Sequence, residues 1–170
     1  MKKFVSTVII AGLCSLGIAQ ESTEGISTLE LEDVTVSPAN ISYLNTTKNK
    51  NNPEIARELQ QKAAAFDVTE MPGYSPKATL PIEVLFRASN GRLLAAYDTK
   101  GKILFTNENF ENVVLPMAVR EMVFSENDGW QMKDNQYLCV YTDNQVVKRR
   151  YKINLTDGDA TKKLVINLED

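Results

Sequence analysis

Apolar residues along this chain recur with two periods, and each change of period marks an element. Between Glu54 and Phe66 the period is helical: Ile55, Leu59, Ala63 and Phe66 form one apolar stripe, and Glu58 and Lys62 pair on the wet side. Asn52-Pro53-Glu54 supplies the start of that helix, with an N-cap, a proline at the first position and an acid in the first turn. Its end is expected before Met71-Pro72-Gly73. The period then falls to two, where Ile82, Val84 and Phe86 alternate with Glu83 and Arg87. Asn90-Gly91 is a hairpin signal. Arg92 to Tyr97 returns, Asp98-Thr99-Lys100-Gly101 turns, and Lys102 to Thr106 completes an antiparallel meander.

A second cycle follows. Pro116 opens a helix with Val119, Met122 and Val123 inward and Arg120 and Glu121 outward, and Asn127-Asp128-Gly129 ends it. Trp130, read as a core-edge residue on that helix, enters a strand, and Tyr137 to Thr142 makes another. Asp143-Asn144 turns. Val146 to Leu155 then sets Val147, Arg149, Tyr151, Ile153 and Leu155 against Lys148, Arg150, Lys152 and Asn154. After Asp157-Gly158-Asp159, the residues Leu164, Ile166 and Leu168 close the sheet. Ahead of both cycles, Thr28 to Val36 predicts a strand bulged at Asp33, and residues 37–52, rich in Asn with Ser, Pro and Lys, read as loop. The expected architecture is α+β: tandem helix-plus-antiparallel-meander units, at 28–110 and 111–170, with helices packed on one face of antiparallel sheet and residues 27–170 in one compact domain.

The N-terminus has a different character. Met1-Lys2-Lys3 is a basic start, Phe4 to Ile18 is mostly apolar, and Gly17 and Ala19 are small residues at −3 and −1 of a cut before Gln20. This is the pattern of a secretory signal over residues 1–19, followed by a flexible lead-in over 20–27. The expected location is periplasmic or secreted, in a bacterial cell. Cys14 follows Leu13, whereas lipid attachment calls for a small residue there, so no membrane anchor is expected after cleavage. Cys139 is then the one remaining thiol, unable to form an internal disulfide and read as semi-buried and inert. The formal charge of −3 becomes more negative once Lys2 and Lys3 leave. Dispersed charges of that sign do not suit nucleic acid.

Five short patterns carry a resemblance: Tyr97-Asp98-x-x-Gly101-Lys102, Leu115-Pro116-x-x-Val119, Gly129-Trp130, Tyr137-x-x-x-Tyr141 and Tyr151-Lys152-Ile153. Over roughly residues 28–168 the chain resembles the PepSY-like, β-lactamase-inhibitor-protein-like (BLIP-like) secreted domains of bacteria. The resemblance implies tandem units in which helices pack on antiparallel sheet, and a non-enzymatic protein outside the cytoplasm. It supplies no set of functional residues.

The chain has no histidine. A Ser-His-Asp triad, a Cys-His pair and a His-rich metal site are therefore excluded. Phosphate-cradling glycine loops are absent from the sequence. Asp157-Gly158-Asp159 lacks the remaining ligands of a calcium loop and reads as a turn; Glu126, Asp128 and Asp134 read as solvated loop acids. Glu108 and Glu111, flanking Phe110, are the one carboxylate pair to weigh for glycoside chemistry. Asn40-Ile41-Ser42, Asn45-Thr46-Thr47 and Asn154-Leu155-Thr156 match the glycosylation sequon, the first two in the Asn-rich loop.

What remains is a face. Lys148, Arg150 and Lys152 share one side of their strand. With Leu138 and Val140 turned toward the helix, Tyr137, Cys139 and Tyr141 are expected on the same outer side. Tyr137, Tyr141, Lys148, Arg150 and Lys152 are thus the predicted partner-binding residues, since Tyr and Arg anchor protein interfaces. The expected function is an exported, non-enzymatic binding module, an inhibitor or partner of another exported protein, with no cofactor and no metal. The alternatives are a structural or chaperone-like envelope protein, or a small-ligand binder between the two units.

Overall fold

A proline fixes the start of the longest helix. Pro53 caps α2 (Glu54–Ala65), whose Ala56, Leu59, Gln60, Ala63 and Ala64 are buried while Ile55 and Phe66 pack at the margin of the core. In this computed structural model, residues 36–142 and 144–168 are described, and they belong to one compact unit, Asp33–Asp170. The predicted signal, the lead-in and the Thr28–Val36 strand lie outside the described residues, apart from Val36 itself, which packs against the core.

Six strands follow: β1 (Ile82–Ala88), β2 (Gly91–Tyr97), β3 (Ile103–Glu111), β4 (Gln131–Thr142), β5 (Gln145–Asp157) and β6 (Ala160–Asn167). They pair antiparallel in chain order, in one sheet. The helix α3 (Met117–Phe124) interrupts the meander between β3 and β4. The fold is α+β: helix then three strands occurs twice, and the two meanders join edge to edge where Phe105 to Glu111 pairs with Thr142 to Gln136. One face of the sheet carries the core, built on Leu93, Ala95, Tyr97, Phe110, Tyr137, Tyr151, Ile153 and Leu155 with the buried side of α2. From α3 only Val119 and Val123 are buried; Met122, expected beside them, is 53% exposed.

The Asn-rich stretch 37–52 is not a loop throughout. It holds a 3-10 turn at Pro38–Asn40 and the helix α1 (Ile41–Thr47). Its residues have modest helix propensity, so tertiary contacts must hold it. Tyr43 packs edge-on against Tyr141, with ring centroids 5.0 Å apart and planes at 80°. Such a contact adds about 0.5–1.5 kcal/mol beyond burial. Asn40, fully buried, donates to Ala64 O (3.2 Å) and Gly101 O (3.0 Å) and accepts from Ile103 N (2.9 Å). It belongs to the core, not to a surface loop, and a glycan on Nδ2 would occupy the atom that donates the first two of these bonds. At the far end of α1, Arg149 Nη2 donates to the carbonyls of Thr46 (3.4 Å) and Thr47 (3.1 Å). A cation on those last carbonyls also suits the helix dipole.

Two turns refine the expected pattern. The first hairpin pairs Ala88 with Gly91, so its two-residue loop is Ser89-Asn90. Gly91 lies in β2, where a Cβ would sit 2.4 Å from Asn109 O and 2.7 Å from Phe110 Cα. The glycine thus allows the backbones of β2 and β3 to approach. The segments expected as two strands around Trp130 and Tyr137 form one strand, β4, with a register shift between Met132 and Asp134. Trp130 itself is half-buried against the core.

Candidate interaction face

The register of the β4–β5 hairpin decides what each sheet face displays. Tyr141 pairs with Val146, but Val140 pairs with Lys148, leaving Val147 as an extra residue. A one-residue shift moves every later side chain to the other face. Without it, Tyr137 would oppose Arg150 and Cys139 would oppose Lys148. With it, Tyr137 opposes Tyr151, Cys139 opposes Arg149, and Leu138 and Val140 oppose Arg150 and Lys148.

The five predicted binding residues are therefore divided between two faces. Tyr137 and Tyr141 are buried on the helix side, at 0% and 1% exposure, and are withdrawn from any binding surface. Tyr137 donates to Asn52 Oδ1 (2.9 Å), and Asn52 Nδ2 donates to Thr47 O (2.8 Å), tying the sheet to the junction of α1 and α2. Lys148, Arg150 and Lys152 remain together on the opposite face, where Leu138 and Val140 join them.

That open face extends over the first meander. Pairing aligns Arg87, Arg92, Asn109, Leu138, Arg150 and Asn167 in one transverse row. The next row contains Leu85, Leu94, Asn107, Val140 and Lys148. Neighbouring strands lie about 4.8 Å apart. Leu85 and Leu94 on β1 and β2, and Leu138 and Val140 on β4, thus form two apolar pairs separated by Asn107 and Asn109 of β3, with arginines beside each pair and Lys148 beyond Val140. Among the described residues no ion pair offsets Arg87, Arg92, Lys148, Arg150 or Lys152. The Nε of Arg150 is shielded from water and meets no hydrogen-bond partner. The sequence alone does not place Leu85, Leu94, Arg87 and Arg92 on this face. The alternation of Glu83 and Arg87 with Val84 and Phe86 marks their side of β1, but placing them beside Arg150 requires the β3–β4 ladder.

The inner face contains one ionisable row. Glu108 on β3 opposes Cys139 on β4, which opposes Arg149 on β5. Glu108 is fully buried, and Gln60 Nε2 donates to both its carboxylate oxygens at 3.0 Å. Burial pushes this carboxyl up to about 8, against the opposing pull of the Gln60 bond and the Arg149 charge. Burial, reinforced by the charge of Glu108, pushes the Cys139 thiol up to about 12. Glu111 lies on the other side of the sheet and is exposed. The two carboxylates weighed for glycoside chemistry therefore do not converge on one site.

A cleft of about 460 Å³ lies between the start of α2 and the linker to α3, lined among others by Lys50, Arg57, Glu58, Val114 and Pro116. Its charges are of both signs. Among the described residues no three His, Cys, Asp or Glu side chains gather to hold a metal, and no helix is long and apolar enough to cross a membrane. No family model matches this chain, and no curated protein or solved structure matches it.

Proposed function

We propose that the chain is an exported, non-enzymatic binding module that docks another exported protein on the open face of its sheet. The observation that carries the reading is the one-sided covering of a six-stranded sheet. The helices bury one face, and the other presents Leu85, Leu94, Leu138 and Val140 among Arg87, Arg92, Lys148, Arg150 and Lys152. Exposed apolar pairs set beside arginines have the make-up of a protein interface, in which apolar contact and arginine are both enriched. Antiparallel sheets commonly leave one face to water, but such faces usually alternate to polar residues throughout. Export rests on the basic, apolar and small-residue order of residues 1–19.

Two measurements test this. The secreted or periplasmic fraction should contain the chain beginning at Gln20, read by mass spectrometry; an intact Met1 on all of the protein would remove the exported part. For binding, the wild type and a Leu85→Asp/Leu94→Asp variant are immobilised and exposed to envelope extract. A partner retained by the wild type and lost by the variant, with both melting at the same temperature, supports the face. A partner bound equally by both places the contact elsewhere.

A further inference from the structure

We propose that the partner's contact surface is acidic and amphipathic, with its apolar side on Leu85, Leu94, Leu138 and Val140 and its carboxylates over Arg87, Arg92 and Arg150. This rests on the open face being the docking face, and it adds the chemistry of what docks there.

Charge carries the inference. The chain as a whole is acidic, at −3, yet this face collects Arg87, Arg92, Lys148, Arg150, Lys152 and Lys163 against Glu83, Glu111 and Asp134. Asp134 already accepts a hydrogen bond from Asn154. Arg87 and Arg92 are direct cross-strand partners, and like charges directly opposite destabilise a sheet. Neither has an ion pair among the described residues to relieve this. A carboxylate between them would. The row is made of arginines, whose planar forks hold carboxylates in bidentate fashion. At Arg150 the shielded, unpartnered Nε is a donor that an incoming acceptor could satisfy.

The arrangement also selects among occupants. A second copy docking face to face would set these unpaired cations against their own like. Interfacial membrane binding draws on exposed Trp, Phe and Leu, with aromatic rings seated at the headgroup level. Here the sheet tyrosines Tyr97, Tyr137, Tyr141 and Tyr151 are buried on the inner side, and the open face offers only a half-buried Phe105. A protein surface with apolar and acidic sides fits both rows at once.

The test is an NMR titration of the full mature chain with a synthetic amphipathic helix bearing leucines on one side and glutamates on the other. Controls are the same peptide with lysines for glutamates, and phosphatidylglycerol vesicles. The expected result is shifts confined to the rows of Leu94 and Arg92. Affinity should fall on the order of tenfold between about 20 mM and about 200 mM salt, and by a similar factor in Arg87→Gln/Arg92→Gln. Binding of the lysine peptide with equal affinity, no binding of either peptide, or vesicle binding lost in the same variant would each overturn the inference. The underlying reading fails separately. If a natural partner depends on Leu85 and Leu94 but ignores salt and the arginine variant, the face stands and its acidic partner does not. If the partner ignores both variants, both readings fall.

Discussion

Glu108 on β3 and Gln60 on α2 meet across the core, where Gln60 Nε2 lies 3.0 Å from each carboxylate oxygen. The pair joins α2 to a buried carboxyl of the sheet, and it sets a pH dependence. The carboxyl titrates near 4.5 in its ordinary state and is pushed up to about 8 by burial in the fold. Between those values the folded chain holds a proton that the unfolded chain has lost. Stability is therefore fully present below pH 4.5 and is lost as pH rises through about 8. At about 1.4 kcal/mol for each tenfold change in proton affinity, the loss is on the order of a few kcal/mol. Glu108→Gln keeps an acceptor for Gln60 and cannot ionise. Urea unfolding should show the variant gaining on the wild type from about pH 5 to about pH 9 and having the flatter profile. A wild-type stability that rises over that interval would contradict this linkage.

Asn40 should be among the costliest polar positions to change. Its amide bonds join the turn before α1 to the end of α2 and to the start of β3. Asn40→Ala removes two buried hydrogen bonds and one part-buried one, and leaves two carbonyls and one amide without that partner. At about 1 kcal/mol for each bond, with a further penalty for buried groups left unpaired, the loss should be roughly 3 kcal/mol. Asn45→Ala, on the exposed side of α1, should cost less than about 0.5 kcal/mol. Chemical denaturation of the two variants checks the contrast, and equal losses would rule it out.

How far these features can be read from sequence depends on the kind of signal. The strands β1 and β5 follow from near-strict alternation, β2 from the turn signals on either side of it, and the start of α2 from Asn52-Pro53-Glu54. The α+β class follows from their order. The helix α1 does not announce itself, because Asn40, Thr47 and Asn52 act as buried clamps while their composition is that of a loop. The open face is half legible. Lys148, Arg150 and Lys152 separate cleanly from Tyr151, Ile153 and Leu155, whereas in β4 both Tyr137-Cys139-Tyr141 and Leu138-Val140 are apolar enough to be core. Only the pairing partner distinguishes them, and that partner depends on one extra residue. The same long-range information brings Arg92 into one row with Arg150.

Cys139 should be inert while the chain is folded. It lies between Glu108 and Arg149 with no exposure, and its thiol is pushed up to about 12. The thiolate is the reactive form, so a buried thiol with a raised pKa reacts only through opening of the fold. A thiol reagent at neutral pH should label the mature chain only as fast as it unfolds, and labelling should become immediate in denaturant. Rapid labelling under native conditions would mean that the Glu108–Cys139–Arg149 row is open to solvent.

The extra residue in β5 gives the most discriminating test of the fold. Val147 is 51% exposed and stands outside the pairing, between Val146 opposite Tyr141 and Lys148 opposite Val140. Deleting it joins Val146 directly to Lys148. Val146 would still face the core, Lys148 would still face solvent, and every pair from Val140 onward would keep its partner. The deletion should therefore fold, with a stability change of no more than about 1–2 kcal/mol from the altered local twist. In a regular hairpin the same deletion would invert β5, sending Lys148, Arg150 and Lys152 inward and exposing Tyr151, Ile153 and Leu155. A cooperative melt with no increase in binding of a hydrophobic dye supports the bulged register. Loss of cooperative unfolding, or strong dye binding, would show that Val147 is a paired member of the strand and that the tyrosines of β4 belong on the outer face.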